Sequence, residues 1–242
     1  MIPSGLRSLN LTAALLLLVA AFFSLSAGAT VNTDTSTAQR KLVILGASYA
    51  MSWGTPPLPG YTVVNRGVGG EQTGAMRARF PRDVVAAQPS HVLIWGHINN
   101  ITQSDVVNAT SAKMEAVKKA AQEDYVAMLR EARAAGIEVM LATEIPLGEP
   151  PGLVNQARAL VGWMLGKTSY AERVSVHVRD LNGFVRQLAA REGLRLLDFE
   201  KVFAPDGGGR KSEYAAEDRS HVSKAGYQAL TDYAVAELGK RR

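Results

Sequence analysis

Five short runs of hydrophobic residues alternate with longer amphipathic segments after residue 40. The runs consist mostly of Val, Ile and Leu, with few polar residues inside them. Nearly continuous aliphatic strands are typical of a parallel sheet that is covered on both faces. We therefore predict five strands, at Lys41–Gly46, Tyr61–Asn65, His91–Gly96, Ile137–Thr143 and Leu194–Phe199.

The intervening segments carry apolar residues at steps of three and four, which is the period of an amphipathic helix. Gly136 and Gly193 follow two of these patterns, as C-terminal caps do, and Ser223 precedes a third, as an N-cap does. The alternation of strands and helices predicts one doubly wound α/β domain over residues 40–242. The apolar positions are Met114, Val117, Ala121, Met128 and Ala132; Val174, Val178, Leu181, Val185 and Leu188; and Tyr227, Leu230, Ala234 and Leu238.

The N-terminus has the pattern of a secretory signal peptide. Arg7 supplies a positive charge, Leu11–Leu25 is almost entirely apolar, and Ala27-Gly28-Ala29 fits a cleavage site. The apolar run is shorter than the roughly 20 residues of a membrane-spanning helix. We predict a signal peptide over residues 1–29, cleavage after Ala29, export of the protein, and a flexible polar lead-in over residues 30–39.

Composition and motifs exclude several classes of function. The 242 residues carry a net charge of +5, and the basic residues are dispersed instead of forming the stripe of a nucleic-acid binder. The absence of cysteine excludes disulfides and thiolate metal sites, and no motif of metal ligands is present. Gly162–Thr168 is one residue short of a phosphate-binding loop, and Gly67–Gly70 has Gln72 where a dinucleotide fingerprint has its third glycine.

Residues suited to acyl transfer follow three of the predicted strands and recur near the C-terminus. Ser48 begins a predicted helix, where free backbone N–H groups favour negative charge. The N–H groups of Ser48 and Gly70 and the amide of Asn99 can form an oxyanion hole. His221 is a candidate general base, and Asp218, three residues earlier, can hold its other ring nitrogen.

In these blocks the chain resembles the SGNH (GDSL-like) hydrolase family. The resemblance covers nearly the whole chain after residue 40, and Asp218-x-x-His221 followed by Gly226-Tyr227 is its most specific part. It implies a three-layer, flavodoxin-like fold with a five-stranded parallel sheet of order 2-1-3-4-5 and helices on both faces. It also implies hydrolysis of esters without a cofactor, with Ser48, His221 and Asp218 as the triad and Ser48, Gly70 and Asn99 as oxyanion donors.

The chain departs from the family pattern at three positions. Ala47 and Asn100 stand where the family usually has aspartate, and Ile98 is an extra residue between Gly96 and Asn99. A shift of this loop by one residue would make Asn100 the oxyanion donor, and that alternative stays open at this point.

Other polar and aromatic residues have less defined roles. His97, Asn100 and Trp53 are candidates for contact with the substrate, with Trp53 at the rim of the site. We expect Glu144 to be a solvent-exposed loop acid, Asp198 to have a structural role at a strand end, and His91 and His177 to be packing or solvated residues.

The sequence thus predicts an exported, periplasmic or secreted serine esterase that acts on a small-molecule, glycan or lipid ester. It predicts neither a nucleic-acid partner nor a stable membrane span after cleavage, and it leaves the oligomeric state open. Two alternatives stay open: an acyltransferase acting on cell-surface glycans, and an inactive member of the fold that binds carbohydrate or lipid.

Overall fold

The computed structural model describes residues 39–148, 161, 164, 168–205, 209–218 and 220–240. They belong to a compact unit that spans Ala38–Arg242. The predicted signal peptide, nearly all of the lead-in and most of Gly162–Thr168 lie outside the described residues.

The strands form one parallel sheet in the predicted order 2-1-3-4-5. The five strands are β1 (Arg40–Gly46), β2 (Tyr61–Gly67), β3 (His91–Trp95), β4 (Glu138–Ala142) and β5 (Arg195–Leu197). This order and the surrounding helices confirm the predicted fold.

Within the described residues, eight α-helices connect or follow the strands, and two single 3₁₀ turns lie at Val85–Ala87 and Ser212–Tyr214. The side chains of Thr110 and Ser169 cap α5 and α6, and Ser223 caps α8 as predicted. Gly193 ends α6 in the left-handed conformation that the cap prediction requires. The helices are α1 (Ser48–Trp53), α2 (Thr73–Ala78), α3 (Phe80–Asp83), α4 (Ile98–Thr102), α5 (Ser111–Ala134), α6 (Tyr170–Glu192), α7 (Phe199–Phe203) and α8 (Lys224–Gly239).

The core lies on both faces of the sheet. Because side chains alternate along a strand, Leu42 and Ile44 of β1 enter one hydrophobic cluster, whereas Val43 and Leu45 enter the other. All four are fully buried. No helix within the described ranges is long and apolar enough to cross a membrane.

The register of the strands sets the position of the loops that follow them. Gly46 at the end of β1 pairs with both Gly67 of β2 and Trp95 of β3. The loops after these strands therefore emerge side by side at the carboxyl edge of the sheet, where open α/β sheets bind their ligands.

Candidate active site

A cleft of about 500 Å³ lies at this carboxyl edge. It contains the serine, the histidine, the glycine and the first asparagine that the sequence analysis selected. Among the described residues, no three His, Asp or Glu side chains form a group that could hold a metal ion. The residues that line the cleft are Ser48, Tyr49, Met51, Gly69, Gly70, Ile98, Asn99, Thr102, Leu147, Tyr170, Ser220 and His221.

Ser48 is the first residue of α1, directly after β1. The first N–H groups of a helix have no partner within the helix, so the Ser48 N–H can donate to a ligand. The preceding residue Ala47 provides no side-chain cap that would compete for this end of the helix. Ser48 thus lines the cleft at the N-terminal end of α1.

The end of β2 is fixed tightly against α1. A Cβ atom on Gly67 would lie 2.2 Å from Met51 N, so the close approach requires glycine at this position. Asn65 ties the same elements together: its Nδ2 donates to Ala50 O at 2.6 Å and to Gly54 O at 2.5 Å, and its Oδ1 accepts from Gly67 N at 2.7 Å. These contacts fix the helix that carries Ser48.

Gly70 lies on the loop after β2 and lines the cleft with a φ of 76°. That conformation is strained for other residues, because a Cβ atom would clash with the backbone. The buried side chain of Arg79 holds this loop through hydrogen bonds. Its guanidinium contacts Glu71 at 2.7 Å, Asp83 at 2.9 Å and Gly46 O at 3.2 Å.

Asn99 and Asn100 point to different surroundings. Asn99 lines the cleft and donates one amide hydrogen to Glu71 O at 2.9 Å, which leaves its second hydrogen for a ligand. Asn100 is buried, accepts from Thr73 N at 3.1 Å and donates to Thr73 Oγ1 at 3.0 Å. The expectation that Asn100 contacts the substrate is therefore wrong, because its amide is used to join α4 to α2. The loop register favours Asn99 over Asn100 at the cleft.

Asp218 and His221 form a hydrogen-bonded pair on one turn before α8. Asp218 Oδ2 lies 2.5 Å from His221 Nδ1, while Oδ1 accepts from His221 N at 2.9 Å and from Ser220 N at 3.0 Å. These bonds, led by those from His221, lower the pKa of Asp218 to about 2. The pair is exposed: 53% of the Asp218 side chain and 43% of the His221 side chain remain accessible.

Tyr49 connects this turn to α1. Its hydroxyl donates to Ser220 O at 2.8 Å, and its ring meets the edge of the His221 ring at a centroid distance of 6.2 Å. The described residues show no hydrogen bond between Ser48 and His221. Contacts between nucleophile and base are often long without substrate and shorten in the complex.

Two other expected substrate contacts are wrong. The His97 ring is buried, its Nδ1 lies 3.3 Å from Tyr125 Oη, and burial lowers its pKa to about 3. Trp53 is also buried; its ring packs edge-on against Trp95 at 5.8 Å, and its Nε1 donates to Thr231 Oγ1 at 3.0 Å. Trp53 is therefore a core residue below the cleft and not a rim residue.

Glu144 is a buried carboxyl group, which contradicts the expected exposed loop acid. Only 1% of this residue is exposed. Its location directly after a buried strand, at the carboxyl edge of a parallel sheet, was a signal for an inward-facing role. Asp198 is structural as predicted, because it accepts hydrogen bonds from Arg186 and Thr143. The supporting roles of Arg79 and Tyr49 had no comparable signal in the sequence.

The chain matches the family described as GDSL-like Lipase/Acylhydrolase over residues 24–229. A shorter match joins it to the uncharacterized lipoprotein YqeF of Bacillus subtilis, at 32% identity over 90 residues. That match spans 37% of this chain and 35% of YqeF, so about a third of the length of that relative is covered.

Solved structures of low sequence identity share the fold. A GDSL-like lipase from Bacteroides thetaiotaomicron superposes with a TM-score of 0.62 at 16% identity, covering 83% of this chain and 89% of that one. A lipase/acylhydrolase from Enterococcus faecalis gives 0.57 at 21% identity, with 82% and 95% covered. A variant of an acetylxylan esterase from Geobacillus stearothermophilus gives 0.61 at 17% identity, with 84% and 95% covered.

The family match extends over more than half of the chain and includes the blocks that carry Ser48, Gly70, Asn99, Asp218 and His221. It confirms the resemblance inferred from those blocks. The chain therefore belongs to the GDSL-like lipase/acylhydrolase family.

Proposed function

We propose that the protein is an exported serine esterase that works through a covalent acyl-enzyme. Ser48 is the nucleophile, His221 the general base and Asp218 the residue that orients the imidazole. The 2.5 Å contact between Asp218 and His221, on a turn that lines the same cleft as Ser48, is the observation that carries this proposal. A carboxylate on Nδ1 leaves Nε2 free to accept the proton of the Ser48 hydroxyl.

In the first half of the reaction, Ser48 Oγ attacks the ester carbonyl carbon while its proton passes to His221 Nε2. The tetrahedral intermediate then collapses, the bond to the alcohol oxygen breaks, and His221 returns the proton to the departing alcohol. In the second half, water attacks the acyl-enzyme with its proton going to His221. The acid leaves when that proton returns to Ser48 Oγ.

The negative charge on the former carbonyl oxygen needs donors that are already in place. The N–H groups of Ser48 and Gly70 and the second amide hydrogen of Asn99 are our proposed donors. All three residues line the cleft, and Asn99 is held by its bond to Glu71 O. Donors fixed before the reaction stabilise the charge without a reorganisation cost at that moment.

The cleft suits a neutral ester. Its described lining includes the apolar Met51 and Leu147 and the half-exposed ring of Tyr170, and it contains no Lys, Arg, Asp or Glu. An aromatic ring beside an apolar wall can pack against an acyl chain or a sugar face. A small-molecule, glycan or lipid ester is therefore our proposed substrate class, and the acetylxylan esterase of similar fold makes acetylated sugars a useful part of the panel.

Export rests on the sequence of residues 1–29, and the partial match to a Bacillus lipoprotein supports it. Fractionation of the native host, with N-terminal sequencing of the recovered protein, tests export. An extracytoplasmic protein that begins at Thr30 supports the proposal, and a cytoplasmic protein with Met1 or Ile2 at its N-terminus contradicts it.

Covalent labelling tests the nucleophile most directly. A fluorophosphonate should form one adduct on the wild-type protein, mapped to Ser48 by peptide mass spectrometry. Ser48→Ala should abolish both labelling and hydrolysis of p-nitrophenyl esters and acetylated xylo-oligosaccharides. Ser52→Ala is the matched control, because Ser52 is an exposed serine on the same helix. An adduct on any other residue, or turnover in Ser48→Ala, would contradict the assignment.

A further inference from the structure

Glu144 is a buried carboxyl group that the proposed reaction does not use. Its backbone is held on both sides by Asn182 of α6: Glu144 N donates to Asn182 Oδ1 at 2.7 Å, and Asn182 Nδ2 donates to Glu144 O at 2.8 Å. These two hydrogen bonds leave little freedom for the backbone just after β4. The direction in which the side chain leaves the strand is therefore fixed.

The side chain reaches the loop between β3 and α4. Glu144 Oε1 accepts from His97 N at 3.0 Å and lies 3.5 Å from Ile98 N. These N–H groups are at the beginning of α4, and His97 provides no side-chain cap for that helix. A buried N–H without a partner is costly, so Glu144 satisfies a requirement that no nearer residue meets.

The same loop carries Asn99 to the cleft. Tyr125 holds Gly96, the first residue of this loop: its hydroxyl donates to Gly96 O at 3.2 Å and accepts from Gly96 N at 3.3 Å. Glu144 holds the next two N–H groups, and the Asn99 amide is bonded to Glu71 O. Asn99 therefore follows immediately after the segment that Glu144 braces.

We propose that Glu144 is a positioning residue for the oxyanion hole, which holds the His97–Ile98 backbone so that the Asn99 amide points into the cleft. This inference rests on the proposed esterase function. Glu144 itself does not line the cleft. Its effect on the reaction passes through the position of Asn99, where a small displacement of a donor weakens its bond to the oxyanion.

The surroundings of Glu144 make its ionisation observable. Burial raises its pKa to about 7, against the opposing effect of the His97 and Ile98 N–H groups. Tyr49 of α1, Tyr125 of α5 and Tyr227 of α8 face it as phenols whose pKa values burial raises. His97, on the loop that Glu144 contacts, is held neutral because burial lowers its pKa, and Arg210 interacts with the Tyr49 hydroxyl. Glu144 is thus the group of this set that changes charge near neutral pH.

Two substitutions distinguish the role of Glu144 as a hydrogen-bond acceptor from the role of its negative charge. Glu144→Ala removes the acceptor and should lower kcat on p-nitrophenyl acetate by about 10- to 100-fold with little change in KM, a fraction of the loss expected for a missing oxyanion donor. Glu144→Gln keeps an oxygen for the His97 N–H and should retain kcat within a few-fold. In the Asn99→Ala background, Glu144→Ala should cost little more, because its effect passes through Asn99.

A spectroscopic measurement tests the contact without relying on activity. The backbone amide resonances of His97 and Ile98 should titrate with a midpoint near pH 7 in the wild type and stay flat in Glu144→Gln. Glu138→Gln is the control, since it removes the exposed carboxylate at the opposite end of β4. It should leave both the titration and kcat as they are.

Three results would overturn the inference: an unchanged kcat in Glu144→Ala, an equal loss of kcat with and without Asn99, or a titration of the His97 and Ile98 resonances that persists in Glu144→Gln. If the wild type hydrolyses no ester but these resonances titrate, the proposed function fails while the contact of Glu144 with the loop stands.

Discussion

Two of the loops that carry proposed catalytic groups are held in place by different means. The loop from Gly96 to Asn99 lies mostly in the interior, and its supports come from Glu144 after β4, from Tyr125 of α5 and from the loop after β2. The turn from Asp218 to His221 lies at the surface: Asp218 bonds Ser220 and His221 within the turn, and Tyr49 and Arg210 bond Ser220 O from outside it. We therefore expect substitutions around the first loop to affect folding and rate together. Substitutions in the second should affect rate with little loss of stability.

The largest expected effect is that of Ser48→Ala, which belongs to neither loop. Removal of a serine nucleophile lowers kcat by roughly 10⁶-fold in a well-studied serine protease, and we expect a loss of at least 10⁴-fold here. Stopped assays with p-nitrophenyl acetate, run beside Ser52→Ala, measure it. A loss shared by both variants would show damage to α1 instead of loss of the nucleophile.

The next prediction separates the two neighbouring asparagines. Asn99→Ala should lower kcat by about 100- to 1000-fold with a small change in KM, because it removes one oxyanion donor. Asn100→Ala should retain more activity but lower the free energy of unfolding by about 1–3 kcal/mol, since it leaves Thr73 N without its buried acceptor. Kinetics and urea denaturation of both variants check this. An exchange of the two behaviours would show that the loop register assigned to the site is wrong.

A substitution in the exposed turn should lower kcat without unfolding the turn. Asp218→Asn keeps an oxygen for the backbone N–H groups of Ser220 and His221, so the turn should persist and the melting temperature should change little. The carboxylate on His221 Nδ1 is lost, and kcat should fall by about 100-fold. That is less than the roughly 10⁴-fold known for a buried triad aspartate. An unfolded variant would show that the bonds of the amide oxygen introduced at position 218, of Tyr49 and of Arg210 do not hold this turn without the carboxylate.

Stability should also depend on pH through the buried loop. The pKa of Glu144 is about 7 in the folded protein, whereas an unfolded glutamate titrates near about 4.3. Between these values the folded protein binds more protons than the unfolded chain, so the free energy of unfolding falls as pH rises. Glu144→Gln removes this dependence and should be more stable than the wild type above pH 7, by up to about 4 kcal/mol. Denaturation curves of both proteins at pH 4 and 8 measure the difference, and parallel pH profiles would contradict the assignment.

The smallest expected effect concerns the link between the turn and α1. Tyr49→Phe removes the hydroxyl bond to Ser220 O, while Arg210 still donates to the same oxygen at 3.3 Å. We expect a loss of about 1 kcal/mol in stability and less than a tenfold loss in kcat. A much larger loss in kcat would show that the position of His221 depends on this bond more than on its own turn.

Features that depend on local contacts could be predicted from the sequence, whereas features that depend on distant contacts could not. The strands followed from an alternating pattern, their order was implied by the family resemblance, and the Asp218–His221 pair lies within four consecutive residues. Local motifs of this kind are visible in a sequence because the contacts join near neighbours. The roles of Asn100, His97 and Glu144 depend on contacts with Thr73, Tyr125 and the β3–α4 loop. Those contacts join distant positions, and only the packed fold brings them together.

Trp53 illustrates the same limit. Its spacing of five residues from Ser48 suggested the rim of the cleft, but its ring lies against Trp95 and Phe199 beneath the site. Spacing along a helix of only six residues does not determine which side faces the core. That choice is made by the aromatic residues of β3 and α7 with which the ring packs.

The acid and the base of the proposed triad sit on the same short turn, and this has a consequence for motion. If the turn moves as a rigid unit, the distance from Asp218 to His221 stays the same and only the distance from His221 to Ser48 changes. Activation of the serine then depends on one displacement, along the line between the turn and α1. A substrate that draws the turn towards Ser48 would align the whole proton path in a single step.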